Sequence, residues 1–103
     1  MSKVFISQPM EGLTDDEVLK TRNEAKLYLE ILVGEPLEII DSFIDENPIN
    51  IKDDSIGIWY LGKSIELLAQ ADMAYFCDGW DKARGCKIEH EIAKQYGLKI
   101  IKE

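Results

Sequence analysis

The stretch that decides the fold of this chain runs over residues 73–93 and reads MAYFCDGWDKARGCKIEHEIA. It opens with the apolar run Met73–Cys77, which is typical of a buried strand. A polar loop leads to Gly85, and the residues that follow have the spacing of a helix over 86–96. A strand that passes through a polar loop into a helix is the repeating unit of α/β proteins, which bind ligands where their strands end.

The rest of the chain repeats this alternation of strand and helix. The run Val4–Ile6 predicts a first strand, and Thr14 with Glu17 forms a capping box that begins a helix ending near Val33, before Gly34. The other predicted elements are a strand over 37–41, a long loop over 42–55 that can carry a turn of helix, a helix over 56–69 with Ile58, Leu61, Ile65 and Leu68 on one face, and a last strand over 98–101.

This β-α-β-α-β-α-β order predicts an α/β fold of the small flavodoxin-like or Rossmann-like type, with three layers. Right-handed crossovers favour a four-stranded parallel sheet in the order 2-1-3-4 with helices on both faces. Strands 1 and 3 would then be neighbours whose connections leave to opposite sides. We expect a crevice at that point, lined by the loops after Ile6 and after Cys77.

Length and composition narrow the possibilities. The 103 residues correspond to one domain, 1–103. A formal net charge of −8 argues against nonspecific nucleic-acid binding, which needs a basic face. No apolar run approaches the ~20 residues of a membrane span, and no signal peptide is evident. Two cysteines are too few for a disulfide framework, so we expect reduced thiols and a cytoplasmic location. From the net charge and the absence of a long apolar run, we expect no nucleic-acid partner and no membrane partner.

Glu89 is the first candidate functional residue. It lies in the first turn of the predicted third helix, where the partial positive charge of the helix N-terminus should help to keep it ionised. Ile88, Ile92 and Tyr96 recur at i, i+4 and i+8, which predicts that they form the core face beside it. An ionised carboxylate at the mouth of a crevice is a candidate nucleophile or ligand anchor. Alternatively, Glu89 only complements the helix dipole.

The loop before this helix carries further candidates. Lys82, Arg84 and Lys87, which we call the basic cluster, gather three cations beside Glu89. They predict a site for a phosphate or carboxylate, the alternative being a surface ion-pair network. Trp80 either stacks on a base or covers an edge of the core.

Two other groups of residues have more than one interpretation. Asp78 and Asp81 are either acid–base partners of the glutamate or ordinary turn residues. Cys77, Cys86 and His90 could be proposed as metal ligands, but no fourth ligand is evident and nothing orients the histidine as a base. No GxGxxG or P-loop pattern is present. We therefore predict neither a metal nor a cofactor.

Two segments carry a family resemblance. The motif Gly85-x-x-x-Glu89-x-x-x-Ala93 follows an Ala71-Asp72 pair and an apolar strand, and residues 4–12 read VFISQPMEG. Both segments resemble the nucleoside 2-deoxyribosyltransferase family and the related deoxynucleotide N-hydrolases. Residues 59–64, with Gly79-Trp80 and Gly85-Cys86, resemble more closely a small uncharacterised branch common in phage and bacterial genomes. The resemblance spans nearly the whole chain.

The resemblance implies a mechanism and an assembly. The residue matching Glu89 attacks the anomeric carbon, forms a glycosyl-enzyme intermediate and releases the base, after which water or a second base completes the reaction. Members complete their sites with a neighbouring subunit, so we expect a homodimer or larger homo-oligomer with residues 42–55 or the 56–69 helix at the interface.

Two positions depart from the family pattern. The tyrosine that orients the glutamate falls at Phe5, and the second catalytic aspartate falls at Ser64, whereas Asp72 matches a structural aspartate. An enzyme that lacks the acid for the leaving base should lose about 10²–10⁴ in rate. Asp78 or Asp81 could substitute for it.

Three hypotheses follow. The first is an enzyme that cleaves or transfers the N-glycosidic bond of a nucleoside or nucleotide. The second is a protein that captures a nucleotide-derived signal, such as a cyclic ADP-ribose type molecule, without consuming it, and the third is a scaffold with no small ligand. For the first, the expected catalytic residues are Glu89, Asp78 and Asp81, and the expected ligand-binding residues are Phe5, Ser7, Gln8, Pro9, Met10, Ser64, Gly79, Trp80, Lys82, Arg84, Gly85 and Lys87.

Overall fold

The computed structural model of the chain describes residues 2–41, 44 and 46–103. Within them, one parallel sheet has the strand order β2-β1-β3-β4. Its strands are β1 (Ser2–Ser7), β2 (Leu37–Ile39), β3 (Met73–Phe76) and β4 (Lys99–Lys102), and the helices between them are α1 (Asp15–Val33), α2 (Ile56–Leu68) and α3 (Arg84–Gln95). The predicted α/β class and strand order are confirmed.

Helices cover both faces of the sheet, as predicted. Along β1, Val4 and Ile6 belong to the core beneath α1, whereas Phe5 belongs to the core beneath α2 and α3. This alternation follows from the two-residue period of a strand. By the same period Ser7 points to the α3 side of the sheet, where its hydroxyl meets Glu89.

The ends of α1 lie where the sequence predicts them. The Thr14 hydroxyl accepts a hydrogen bond from the backbone N–H of Glu17, and the Glu17 carboxylate accepts one from the backbone N–H of Thr14. This reciprocal pair satisfies N–H groups that a helix start otherwise leaves unpaired. Gly34 ends the helix with a φ of 76°, a left-handed conformation that favours glycine.

The predicted loop over 42–55 is confirmed for the part that the structure describes. Residues 44 and 46–52 have no regular secondary structure, and a short 3₁₀ helix, Asp53–Ser55, precedes α2. Ser42, Phe43 and Asp45 lie outside the described residues. Among the described helices, none combines the length and apolar character needed to cross a membrane.

The predicted core face of α3 is wrong. Ile88 and Tyr96 are 39% and 84% exposed, and Ile92 is half-buried. Of the predicted face, Ile92 packs against the core, whereas Ile88 and Tyr96 lie on the outer side of the helix. The buried residues of α3 are Cys86, Glu89 and Ala93.

An apolar groove of about 600 Å³ runs between α2 and α3 on the outer surface. Outside the groove, near the start of α2, Ile58 is 71% exposed, although the sequence predicts it on a buried face with Leu68. The residues that line the groove are Ile65, Leu68, Ala69, Ile92, Tyr96 and Leu98. Since none of these side chains is ionisable apart from a tyrosine, the groove offers surface for contact and little chemistry.

Candidate functional site

A smaller, polar cavity of about 280 Å³ lies at the carboxyl end of β1, and we call it the crevice. Its position at the junction of β1 and β3 is the switch point predicted from the strand order. The crevice is lined by Phe5, Ile6, Ser7, Gln8, Met10 and Leu13 from β1 and its loop, Asp15, Val18 and Arg22 from α1, Tyr60 and Ser64 from α2, Ile44, and Glu89 from α3.

Glu89 is the buried carboxyl group of the crevice. Its side chain is only 7% exposed, and its Oε1 atom accepts a hydrogen bond of 2.8 Å from the Ser7 hydroxyl. Burial raises the pKa of Glu89 above the ordinary value, and the Ser7 hydrogen bond acts in the opposite direction. The expectation that Glu89 lies in the first turn of the helix is wrong, because α3 begins at Arg84 and Glu89 lies in its second turn, farther from the partial positive charge of the helix N-terminus.

The loop after β1 is held in place by Gln8. This side chain is 6% exposed, and its Nε2 atom donates a hydrogen bond of 3.0 Å to the backbone carbonyl of Val18 on α1. The contact ties the loop to the first helix above the sheet. It thereby sets one wall of the crevice beside Ser7.

The lining residues that are absent from the predicted site are Ile6, Leu13, Asp15, Val18, Arg22, Ile44 and Tyr60. Arg22 faces the crevice from α1, where it follows Asp15 and Val18 at i, i+3 and i+7 on one stripe of the helix. Tyr60 brings a phenol hydroxyl from α2. The helical spacing of the α1 stripe was a usable signal for Arg22, whereas nothing in the sequence around Tyr60 distinguishes it from a core aromatic.

A family model described as a domain of unknown function, DUF4406, matches residues 2–102. The chain belongs to the DUF4406 family. The match includes every residue that lines the crevice. A search of curated proteins finds no match. The DUF4406 description makes no connection to nucleoside 2-deoxyribosyltransferases, so that resemblance stays a prediction.

Trp80 of this DUF4406 chain lies outside the crevice. Its ring stacks on the His90 ring with centroids 4.3 Å apart and an interplanar angle of 19°, and it packs against Phe76 in the core beneath α3. The Lys102 ammonium lies 5.4 Å from the Trp80 ring centroid. Of the two predicted roles, the structure therefore places Trp80 in the one that covers an edge of the core.

The basic cluster does not line the crevice either. Lys82, Arg84 and Lys87 are exposed. Arg84 and Gly85 lie instead in a cavity of about 380 Å³ between the N-terminal ends of α2 and α3. Since Glu89 points inward to Ser7 while the basic cluster points to solvent, the sequence neighbourhood of these residues does not become a shared site.

The loop between β3 and α3 supplies structure to this region. Asp78 and Asp81 are exposed, and the backbone N–H of Asp78 donates a hydrogen bond of 2.6 Å to the Glu103 carboxylate. Gly79 has a φ of 87°, and a Cβ atom there would lie 3.4 Å from Cγ of Pro9. The two loops that follow β1 and β3 therefore touch, but the second one does not line the crevice.

The metal hypothesis gains no ligand set from the structure. Among the described residues, no group of three His, Cys, Asp or Glu side chains lies close enough to hold a metal ion. Cys77 and Cys86 are buried free thiols, and burial raises the pKa of both, that of Cys77 to about 12. Both thiols are therefore protonated and poor nucleophiles at neutral pH. Burial also lowers the pKa of His90.

Proposed function

We propose that the crevice binds a nucleoside or nucleotide and that Glu89 cleaves or transfers its N-glycosidic bond. The observation that carries this proposal is a buried carboxyl group, oriented by one hydroxyl group, at the inner end of a polar cavity where the central strands end. A carboxylate in such a position can serve as a nucleophile toward a sugar carbon.

The steps balance as a double displacement. Oε1 of Glu89 is engaged by Ser7, so the proposal assigns the attack on the anomeric carbon to Oε2. The bond from this carbon to the base nitrogen breaks, and the base leaves with the electron pair and gains a proton. Water then attacks the same carbon and gives a proton to the group that protonated the base, which releases the sugar and regenerates both the carboxylate and the acid, or a second base takes the place of water.

Two residues of the crevice offset the departures at Phe5 and Ser64. The hydroxyl that contacts Glu89 comes from Ser7, and this contact supports an orienting role for serine where the resembled family uses tyrosine. Asp15 also lines the crevice and is the better candidate to protonate the leaving base, because Asp78 and Asp81 lie outside it. In the proposal, the acid therefore comes from α1.

The second candidate function is capture of a nucleotide signal, such as a cyclic ADP-ribose type molecule, without turnover. The burial of Glu89 favours it, because burial disfavours the ionised form that attack requires, whereas a buried carboxyl group can anchor a ligand through hydrogen bonds. In both functions the same crevice holds the ligand. Glu89 is a nucleophile in the first and an anchor in the second.

Incubation with a panel of deoxynucleosides, their monophosphates and cyclic ADP-ribose isomers tests both functions. Samples are heat-denatured, and the released compounds are identified by mass spectrometry. Free base with the native protein and with Glu91→Ala, an exposed acid of the same helix, but not with Glu89→Ala, supports the enzyme. A ligand recovered unchanged after depletion from solution supports capture. If no compound in the panel is cleaved or captured, both functions are contradicted.

The proposal includes a homodimer or larger homo-oligomer in the cytoplasm. Support for the assembly comes from the apolar groove, which the 84% exposed Tyr96 lines, and support for the cytoplasm comes from two free thiols. Light scattering should give a mass above that of one chain. Tyr96→Glu should shift it to a monomer, whereas Ile31→Glu on the opposite helix α1 should leave it unchanged, and a native monomer at micromolar concentration contradicts the assembly.

A further inference from the structure

Arg22 is a cation that is placed in the crevice without a strong partner. Its side chain is 15% exposed, and its nearest described carboxylate is Asp41, at 3.9 Å between Nη1 and Oδ1. Its Nε atom is buried and has no hydrogen-bond partner among the described residues. A guanidinium presents five N–H donors in a planar fork, so this arrangement leaves much of its binding capacity unused.

Gln8 supplies a second, independent observation in the same crevice. Its Nε2 donates to the carbonyl of Val18, and because a carbonyl oxygen only accepts hydrogen bonds, this contact determines which way the amide faces. The other atom, Oε1, is then a buried acceptor without a donor among the described residues. Buried polar groups in folded proteins are nearly always paired, so the crevice suits a ligand that brings both an acceptor anion and a donor hydroxyl.

A second small cavity adjoins Arg22 on its other side. This cavity has a volume of about 240 Å³ and is lined by Arg22, Asn23 and Lys26 of α1 together with Ile39, Ile40 and Asp41 at the end of β2. Arg22 thus stands between the crevice that holds Glu89 and a region with a further cation and an amide. Two carboxylates disfavour an anion at Arg22, Asp41 in this cavity and Asp15 in the crevice, and both are exposed, so that solvent and salt screen their charges.

The structure assigns the anionic group of the ligand to Arg22. We infer a phosphorylated nucleoside whose phosphate binds the guanidinium of Arg22, with Lys26 and Asn23 alongside, while a sugar hydroxyl donates to Gln8 Oε1. This inference rests on the proposed function. It replaces the basic cluster, which is directed to solvent, as the phosphate site.

A comparison of matched ligands tests the assignment. The dissociation constants of four deoxynucleosides, of their 5′-monophosphates and 3′-monophosphates, and of inorganic phosphate are measured by calorimetry. We expect one phosphate position to improve affinity over the nucleoside by roughly 10- to 100-fold, the range for hydrogen bonds to a charged group. In Arg22→Gln this ratio should fall close to 1, and in Arg22→Lys it should lie between the two values.

Lys20→Gln is the control, since it removes the same charge from an exposed position of α1 that lines neither cavity. It should keep the native ratio, and thermal melts verify that every variant folds. A ratio near 1 in the native protein, an unchanged ratio in Arg22→Gln, or no binding of any ligand overturns the assignment. Glu89-dependent base release without a phosphate effect leaves the proposed function standing, whereas Arg22-dependent binding without base release leaves only the phosphate site.

Discussion

Replacement of Ser7 by alanine should lower the free energy of unfolding by about 1.5–3 kcal/mol at pH 8, the range for a hydrogen bond to a charged group. The structure supports this larger range of free energies because both partners of the hydrogen bond are buried. Ser7 is 2% exposed and Glu89 is 7% exposed, and their oxygens are 2.8 Å apart. Water therefore has little access to replace the lost hydroxyl, and the carboxylate keeps its desolvation cost.

The loss should depend on pH. The Ser7 bond lowers the pKa of Glu89, so it stabilises the ionised form, and its removal costs most where that form prevails. Urea unfolding followed by circular dichroism at pH 8 and pH 4.5 measures the difference. Ser64→Ala, at the other serine of the crevice, should change stability by less than about 0.5 kcal/mol.

A double-mutant cycle separates the bond from simple packing. In a Glu89→Gln background the acceptor is neutral, so Ser7→Ala should cost about half as much. The reasoning is refuted if Ser7→Ala costs the same in both backgrounds and at both pH values. In that case the hydroxyl would contribute only volume.

Three further predictions concern ionisation, backbone geometry and the end of β4. Glu89→Gln should raise the melting temperature at pH 8 and have little effect at pH 4, because a carboxyl group whose folded-state pKa is raised destabilises the fold only as pH rises through that pKa. An equal gain in melting temperature at both pH values, measured by scanning fluorimetry, contradicts this prediction. Gly79→Ala should lower the free energy of unfolding by about 1–2 kcal/mol, since the φ of Gly79 is 87°. Gly57→Ala, within α2 and with open space around it, should raise the free energy of unfolding by about 0.5–1 kcal/mol. Equal effects of the two substitutions in chemical denaturation rule out the backbone argument. Glu103→Ala should lower the free energy of unfolding by about 1–3 kcal/mol, because this carboxylate accepts hydrogen bonds from the Tyr75 hydroxyl and the Asp78 N–H. If the effects of Tyr75→Phe and Glu103→Ala are fully additive, the hydrogen bond between Tyr75 and Glu103 contributes nothing.

The sheet order could be predicted because apolar runs and helix-length segments alternate through the chain. Right-handed crossovers then leave few arrangements for four parallel strands. The boundaries of α1 were equally accessible, since Thr14, Glu17 and Gly34 are local signals for a helix start and a helix end. Such boundaries can be predicted because the residues that determine them are close together in the sequence.

The side-chain directions of α3 were harder to predict for a physical reason. Apolar periodicity assumes that the most apolar stripe is buried, yet Ile88 and Tyr96 are exposed while a carboxyl group is buried. A helix that presents the carboxyl group of Glu89 to a crevice departs from the amphipathic pattern on which the prediction relied. Tyr96 lines the apolar groove and Ile88 lines the cavity beside Arg84, so that packing by another surface would cover them.

The composition of the crevice was only partly accessible from the sequence. Ser7, Gln8 and Met10 follow β1 directly, so the strand order predicts their place. Arg22 and Tyr60 reach the crevice from two different helices, and their meeting depends on how those helices lie on the sheet. The basic cluster and Trp80 are near Glu89 in the sequence but do not line the crevice, and their role in ligand binding stays a prediction.

The distance along the chain between the two central groups affects how the protein is made. Ser7 and Glu89 are 82 positions apart, and the backbone bond from Lys3 to the Asp72 carboxylate spans 69 positions. At 5–20 residues per second, a ribosome needs about 4–16 s to synthesise the interval between Ser7 and Glu89. Until β3 emerges, β1 has an open edge where its central neighbour belongs, and such edges are prone to pair with other chains. The crevice can therefore form only after Glu89 has been synthesised. Fragments that end before α3 should be substrates for chaperones and proteases.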